Sequence, residues 1–277
     1  MDFKKSIIKK YGVGYYKSTL LLPKKTRHAV WTLYAFVRLP DEIVDNPSDD
    51  TVRRFDAWQH DWNLLSHDSV TGHTNQTMVD FLEVMKKYGI PEQYPNDFLS
   101  AMRQDLTKDH YATYKELEHY MHGSATVVGY MMCHIIGHKD GALPHARALA
   151  EAFQMTNFLR DIQSDYLERK RIYIPKEDME QFGVTETHIA QGLVDDAWKS
   201  LLTFEINRAR ELYSRGISGI GYLDASGRKA VYASALIYKE ILDKIEQAHY
   251  DIFSKRIVVN PLKKTMLLCK ALWYKNQ

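Results

Sequence analysis

A chain of 277 residues with 37 Lys and Arg against 35 Asp and Glu carries a formal net charge of +2, too little bulk charge to hold a nucleic acid. Hydrophobic residues make up 45% of it and charged residues 26%, the balance of a folded globular protein rather than a disordered one. Glycine and proline number only 14 and 8, and so few helix breakers favour long helices.

The predicted elements are helical throughout. The opening MDFKKSIIKKYG has no apolar run behind its lysines and is not expected to be a signal peptide. Residues 28–37 read as a buried or amphipathic helix. A polar turn over 46–50, with Ser48 or Asp49 as cap, leads into a helix over 51–65. The next helix covers 78–88 and stops at Gly89-Ile90-Pro91. Helices follow over 96–108 and 114–136, then a break at 137–143 and a long helix over 146–168. Residues 170–183, with Pro175 and Gly183, read as a connector. Helices over 187–213 and 229–253 flank a Gly- and Ser-rich stretch at 214–227, and a short helix over 261–274 comes last. Only Tyr173-Ile174 and 257–259 lean towards β. No stretch approaches the ~20 apolar residues of a membrane span, and Cys133 and Cys269 are too few for a disulfide framework. These features predict one all-α domain over 1–277, cytoplasmic and without a membrane anchor.

Two groups of acids break the ordinary charge pattern. Asp41 and Asp45 stand four apart after the apolar run AVWTLYAFV, so on a helix their carboxylates share a face. Asn157, Asp161 and Asp165 repeat that spacing twice and form a stripe about 12 Å long. All five side chains offer oxygen, the donor that hard cations such as Mg²⁺ take. Arg38 and Arg160 lie beside the two sets, and carboxylates with arginines are what a metal-bridged diphosphate needs. One such pair is commonly just a solvated helix face. Two such sets, each embedded in apolar helix and one carrying an Asn, leave the solvated surface and the paired-carboxylate Mg²⁺ site both open. His134 and His138 have zinc-like spacing, but Ile135 stands where the zinc-protease pattern needs Glu, which favours surface or capping histidines. No Gly-rich phosphate loop and no G-x-S-x-G elbow are present.

The residues resemble the squalene/phytoene synthases, head-to-head prenyl transferases. Leu21-Leu22-Pro23, Arg27, Ala29-Val30-Trp31, Tyr34-Ala35, Arg38 and Asp41-x-x-x-Asp45 look like the first family block. The run from Tyr120 to Gly129 resembles the central small-residue block. Gln154, Asn157, Leu159-Arg160-Asp161, Asp165, Arg171-Ile172-Tyr173 and Pro175 resemble the second acidic block, and 238–256, with Lys263 beyond, the C-terminal block. The resemblance implies an isoprenoid-synthase fold, helices around a central apolar cavity. It implies Mg²⁺, or Mn²⁺, held by Asp41, Asp45, Asn157, Asp161 and Asp165, with the four aspartates essential to catalysis. Arg38, Tyr34, Tyr120, Gln154, Arg160, Arg171, Tyr238, Arg256 and Lys263 would contact two prenyl diphosphates. Tyr34 and Tyr120 would line a dry cavity, though ordinary core packing explains them equally.

The sequence departs from the family pattern at three places. Gly12-Val13-Gly14 stands where Ser-x-Ser or Ser-x-Thr hydroxyls are usual, leaving backbone N–H groups, Tyr15, Tyr16 or Ser18 as substitutes. Glu42 replaces the second Asp of the first motif. His122 stands where Tyr is frequent, and a helix-face role is expected of it. Pro40, inside a helix, would cost ~3 kcal/mol and free the carbonyl of Phe36, so a kink or fresh helix start is expected there. The resemblance points to phytoene from two geranylgeranyl diphosphates without NADPH. Dehydrosqualene- or squalene-type products from farnesyl diphosphate, or an inactive scaffold, are the alternatives. Because the product is an insoluble hydrocarbon, peripheral contact with the inner face of a membrane is expected. The oligomeric state is left open.

Overall fold

The structure, a computed structural model, describes residues 3–67 and 75–274. Among these residues there is no β-strand; two isolated bridges, His110 with Ile172 and His138 with Leu223, are all the pairing of that kind. The all-α expectation therefore holds, and the β-leaning segments form no sheet.

Helices α1 (Phe3–Tyr11) and α2 (Val13–Thr19) were not foreseen, because lysines interrupt their short apolar pattern. They pack against α3 (Lys24–Asp45), whose apolar face explains its length: Ala29, Val30, Leu33, Ala35 and Phe36 are all buried. The Phe36 ring stacks on Phe81 at 4.1 Å and tilts against Trp62 at 4.7 Å, pinning α3 to α4 (Thr51–His67) and α5 (Gln76–Tyr88). The expected fresh start at Pro40 is absent. The helix runs through Pro40 to Asp45, with Pro40 and Val44 buried; burial of this face outweighs the local cost of the proline.

α6 (Gln93–Gln104) is followed by α7 (Tyr114–Met121) and α8 (Val127–Ile136), which the sequence read as one helix. A π turn over His122–Thr126 separates them. Here Gly123 approaches α6 so closely that a Cβ would sit 2.6 Å from the Asp97 carbonyl oxygen. Such single-turn π segments are frequent at functional sites. α9 (Ala142–Arg169) runs through the centre of the molecule against α8, α12 (Asp196–Ser218) and α13 (Ala225–Gln247).

The helix expected over 187–213 is two. α11 (Glu186–Gln191) ends at Gly192, which takes the left-handed conformation with φ 65°, and α12 starts at Asp195, whose carboxylate accepts from Trp198 N at 2.9 Å. Both are standard stop and start signals that the apolar periodicity obscured. α12 then continues past the expected end at Tyr213, because Gly216 serves helix contact instead of breaking the helix. A Cβ there would lie 2.8 Å from the backbone of Leu149 on α9. The expected connector holds a short helix, α10 (Lys176–Gln181), and α13 stops at Gln247, before the left-handed residues His249 and Tyr250. α14 (Pro261–Leu272) is capped by Asn260, which accepts from Lys263 N at 2.7 Å.

Candidate active site between two acidic helices

The C-terminal end of α3 and the C-terminal half of α9 open onto one cavity of about 840 Å³. Asp41 and Asp45 line it from α3; Gln154, Asn157, Asp161 and Asp165 line it from α9. The two acidic sets, 120 residues apart in sequence, thus share one site. Both helices carry these acids at the edge of their buried faces, so core packing sets their orientation.

Arginines distribute charge over the carboxylates. Arg38 Nη1 donates to Asp41 Oδ2 at 2.5 Å and its other terminus pairs with Glu42. Arg160 Nε donates to Asp161 Oδ1 at 2.9 Å, and Arg256 Nε reaches the same oxygen at 3.2 Å. Arg169, which the sequence reading passed over, ties the two stripes together: Nε lies 3.2 Å from Asp45 Oδ1 and Nη1 3.0 Å from Asp165 Oδ1. Its signal was present, since 157, 161, 165 and 169 continue one i,i+4 stripe.

Charge is not balanced everywhere. Burial, then repulsion from Asp45, pushes the Asp41 carboxyl up to about 7, against the pull of Arg38. Burial, then Asp161, pushes Asp165 up to about 7 against Arg169. Burial also opposes ionisation of Asp161, yet Arg160 and Arg256 hold it below the usual carboxylate range. Neighbouring carboxylates held together away from water resist ionising together, and a bound hard cation removes that penalty. The donor set therefore fits Mg²⁺. Among the described residues, no three His, Cys, Asp or Glu side chains lie close enough together to hold an ion by themselves.

Behind the acids lies an aromatic floor. Tyr173 stacks on Phe158 at 4.1 Å and on Tyr120 at 5.7 Å. Tyr120 donates its hydroxyl proton to Asp105 Oδ2 at 2.7 Å, and the Tyr173 hydroxyl reaches Oδ1 at 3.4 Å. Asp105 is another residue the sequence reading missed, because its partners Tyr120, Arg171 and Tyr173 are distant in sequence. Burial pushes its carboxyl up to about 6, against Arg171 and the Tyr120 hydroxyl. Arg171 does not line the cavity. It is buried behind it, donating Nη2 to the Asp105 carbonyl at 2.7 Å and lying 3.3 Å from Asp45, so it supports the site's backbone.

Tyr34, Tyr238 and Tyr15 line the cavity wall. Gly12 matters sterically: a Cβ there would meet Tyr34 Oη at 2.9 Å, so the α1–α2 corner rests on that hydroxyl. Of the candidate substitutes for the missing hydroxyls, Tyr16 is turned onto Trp31, whereas Ser18, which bonds Ser234 at 2.6 Å, and Tyr15, whose hydroxyl donates to Met132 Sδ at 3.3 Å, both line the cavity. The side chains at Val13 and Gly14 lie outside the described residues. Ser124, on the π turn, offers the cavity a buried hydroxyl without a protein partner. Lys263 stands apart from this group and pairs with Glu240 at 3.1 Å. His122 faces Asp97 at 3.6 Å on the helix surface, and His134 and His138 meet edge to face with ring centroids 5.5 Å apart.

The squalene/phytoene synthase family profile matches residues 8–263. A 15-cis-phytoene synthase of Synechococcus elongatus is 33% identical over 97% of this chain and 91% of its own. Another, from Synechocystis, is 33% identical over 99% of this chain and 84% of its own. Among solved structures, a dehydrosqualene synthase in complex with ligand superposes with a TM-score of 0.90 at 27% identity, covering 98% of this chain and 94% of that one. A squalene synthase of Alicyclobacillus acidocaldarius, at 23% identity and a TM-score of 0.79 over 90% and 93%, shares the fold.

Proposed function

The chain belongs to the squalene/phytoene synthase family of prenyltransferases, with its all-α isoprenoid-synthase fold, and on that premise we propose that it joins two geranylgeranyl diphosphates head to head into phytoene. The observation that carries the choice of product is the similarity, over nearly the whole chain, to relatives named phytoene synthase. We read 1–277 as one catalytic domain.

Asp41, Asp45, Asn157, Asp161 and Asp165 would hold Mg²⁺, which supplies the positive charge that makes diphosphate a leaving group. Arg38, Arg160 and Arg256, at the same mouth, would hold diphosphate oxygens in charge-assisted hydrogen bonds. The prenyl tails enter the apolar part of the cavity, among Leu33, Phe98, Met102, Val128 and Leu149. One allylic diphosphate ionises. The double bond of the second attacks the cation, and proton loss gives a cyclopropylcarbinyl diphosphate. A second ionisation, rearrangement and proton loss give the central triene. The floor of Tyr120, Phe158 and Tyr173 excludes water and turns ring faces to the cationic intermediates. Tyr120 commits its proton to Asp105, so its oxygen lone pairs remain for the cavity.

The dehydrosqualene synthase neighbour favours a second reading, two farnesyl diphosphates giving a thirty-carbon product. Incubating the purified chain with each diphosphate and Mg²⁺, without NADPH, separates the two. Phytoene from geranylgeranyl diphosphate supports the first reading, and hydrocarbon from farnesyl diphosphate alone supports the second. No diphosphate release from either would leave only the inactive scaffold, against which both acidic stripes argue. No helix among the described residues is long and apolar enough to cross a membrane. A cytoplasmic protein in peripheral contact with the membrane fits a lipid product.

A further inference from the structure

α14 is amphipathic in the reverse sense. Its inner face packs on α13, with Ala271 fully buried and the Tyr274 ring just beyond it 4.6 Å from Tyr232. Its outer face carries Leu262, Met266, Cys269 and Trp273, at intervals of four, three and four, which align them on one side of a helix. They are exposed: Leu262 72%, Met266 59% and Trp273 81%, with Val258 just upstream at 67%. An isolated exposed apolar residue means little, but a contiguous stripe marks a contact surface.

The charge around the stripe selects the partner. From residue 252 onward the sequence contains no Asp or Glu, whereas Lys255, Arg256, Lys263, Lys264 and Lys270 all fall in 252–274. Arg256 and Lys263 are paired with Asp161 and Glu240, so the exposed Lys255 and Lys270 carry the outward charge. Lys270 is exposed beside the stripe. Apolar side chains including an outward Trp, flanked by lysines and free of acids, are what an anionic lipid surface binds. The location suits the chemistry, because the segment 257–260 alone separates α14 from Arg256 at the cavity mouth.

We propose that the outer face of α14 is the docking surface of this protein on an anionic bilayer, with Leu262, Met266 and Trp273 entering the headgroup boundary and Lys270 meeting lipid charge. This deepens the membrane contact inferred above and rests on it, but it is independent of prenyl chain length. An interface with a second copy is the competing occupant.

Sedimentation of the full chain with phosphatidylcholine vesicles, with and without one-third phosphatidylglycerol, tests it. Binding is expected on the anionic vesicles. It should fall at least tenfold in L262S/M266S/W273S, and about fivefold in K270E with a weaker salt dependence. Turnover of detergent-dispersed substrate should stay unchanged in both variants. No vesicle binding by the unmodified chain would refute membrane contact altogether. Binding retained by the triple variant would refute α14 alone, as would a halved mass in light scattering with vesicle binding kept, which would assign the stripe to dimerisation. Should the triple variant fail to fold, an environment-sensitive dye on the exposed Cys269 replaces it, since Cys133 is buried. Its emission should shift to the blue on anionic vesicles, and an unshifted spectrum overturns the proposal.

Discussion

Replacing Asp41 or Asp161 by alanine removes an oxygen donor that faces the cavity. Each change should cut turnover at least ~100-fold. In the absence of Mg²⁺ the thermal midpoint should hold or rise for Asp41→Ala, whose carboxyl is crowded by Asp45, and fall modestly for Asp161→Ala, which leaves the Arg160 guanidinium without its partner. A large drop in the midpoint with normal specific activity would make the carboxylate structural. Asp105 behaves differently, because its carboxylate accepts the buried Tyr120 hydroxyl. Asp105→Ala should cost ~1–3 kcal/mol in urea unfolding by orphaning that donor, and Asp105→Asn, which keeps an acceptor, distinctly less. Away from the site, Glu205 is buried on α12 against Arg208, which also bonds Asp178 at 2.7 Å. Burial, which outweighs Arg208, pushes the Glu205 carboxyl up to about 8 from 4.5. In the window between those values the unfolded chain has released the proton and the folded chain retains it. Stability therefore falls as pH rises from 4.5 to about 8. Glu205→Gln should flatten part of that slope, measured as unfolding free energy against pH; an unchanged slope would show that Glu205 ionises normally.

At the scale of elements, α9 and α12 approach through Gly216, where a new Cβ would strike the backbone of Leu149 rather than a movable side chain. Gly216→Ala should therefore cost ~1–3 kcal/mol of stability, read from denaturant midpoints. The α5 and α14 helices were legible because their ends carry caps: Gly89 takes φ 63° after α5, and Pro261 follows Asn260 at the start of α14. The π turn at His122–Thr126 and the unbroken α3 at Pro40 were not legible. Both depend on what packs against them from distant parts of the chain, Asp97 and Ala101 in one case and the buried wall behind Val44 in the other. α1 and α2 escaped for a related reason. They are too short to be stable alone and exist because α3 and α13 offer them surfaces.

For the whole molecule, the two acidic stripes were readable as helix faces, since i,i+4 spacing is a local property. That they meet across one cavity is a tertiary fact, which the family resemblance implied and spacing did not. Asp105 was missed for the same reason, its role arising from the distant Tyr120–Tyr173 floor; Arg169 was readable as a continuation of the α9 stripe, and only its reach to Asp45 on α3 is tertiary. The near-zero net charge conceals two local extremes, a crowded anionic mouth and an acid-free basic C-terminal segment beside it. The most direct measurement is product analysis after incubating the purified chain with geranylgeranyl diphosphate and Mg²⁺, with and without EDTA. Metal-dependent release of two diphosphates per phytoene formed is expected, abolished by EDTA and by Asp161→Ala. Turnover that survives metal removal, or a head-to-tail or cyclic product, would contradict the proposed head-to-head synthase.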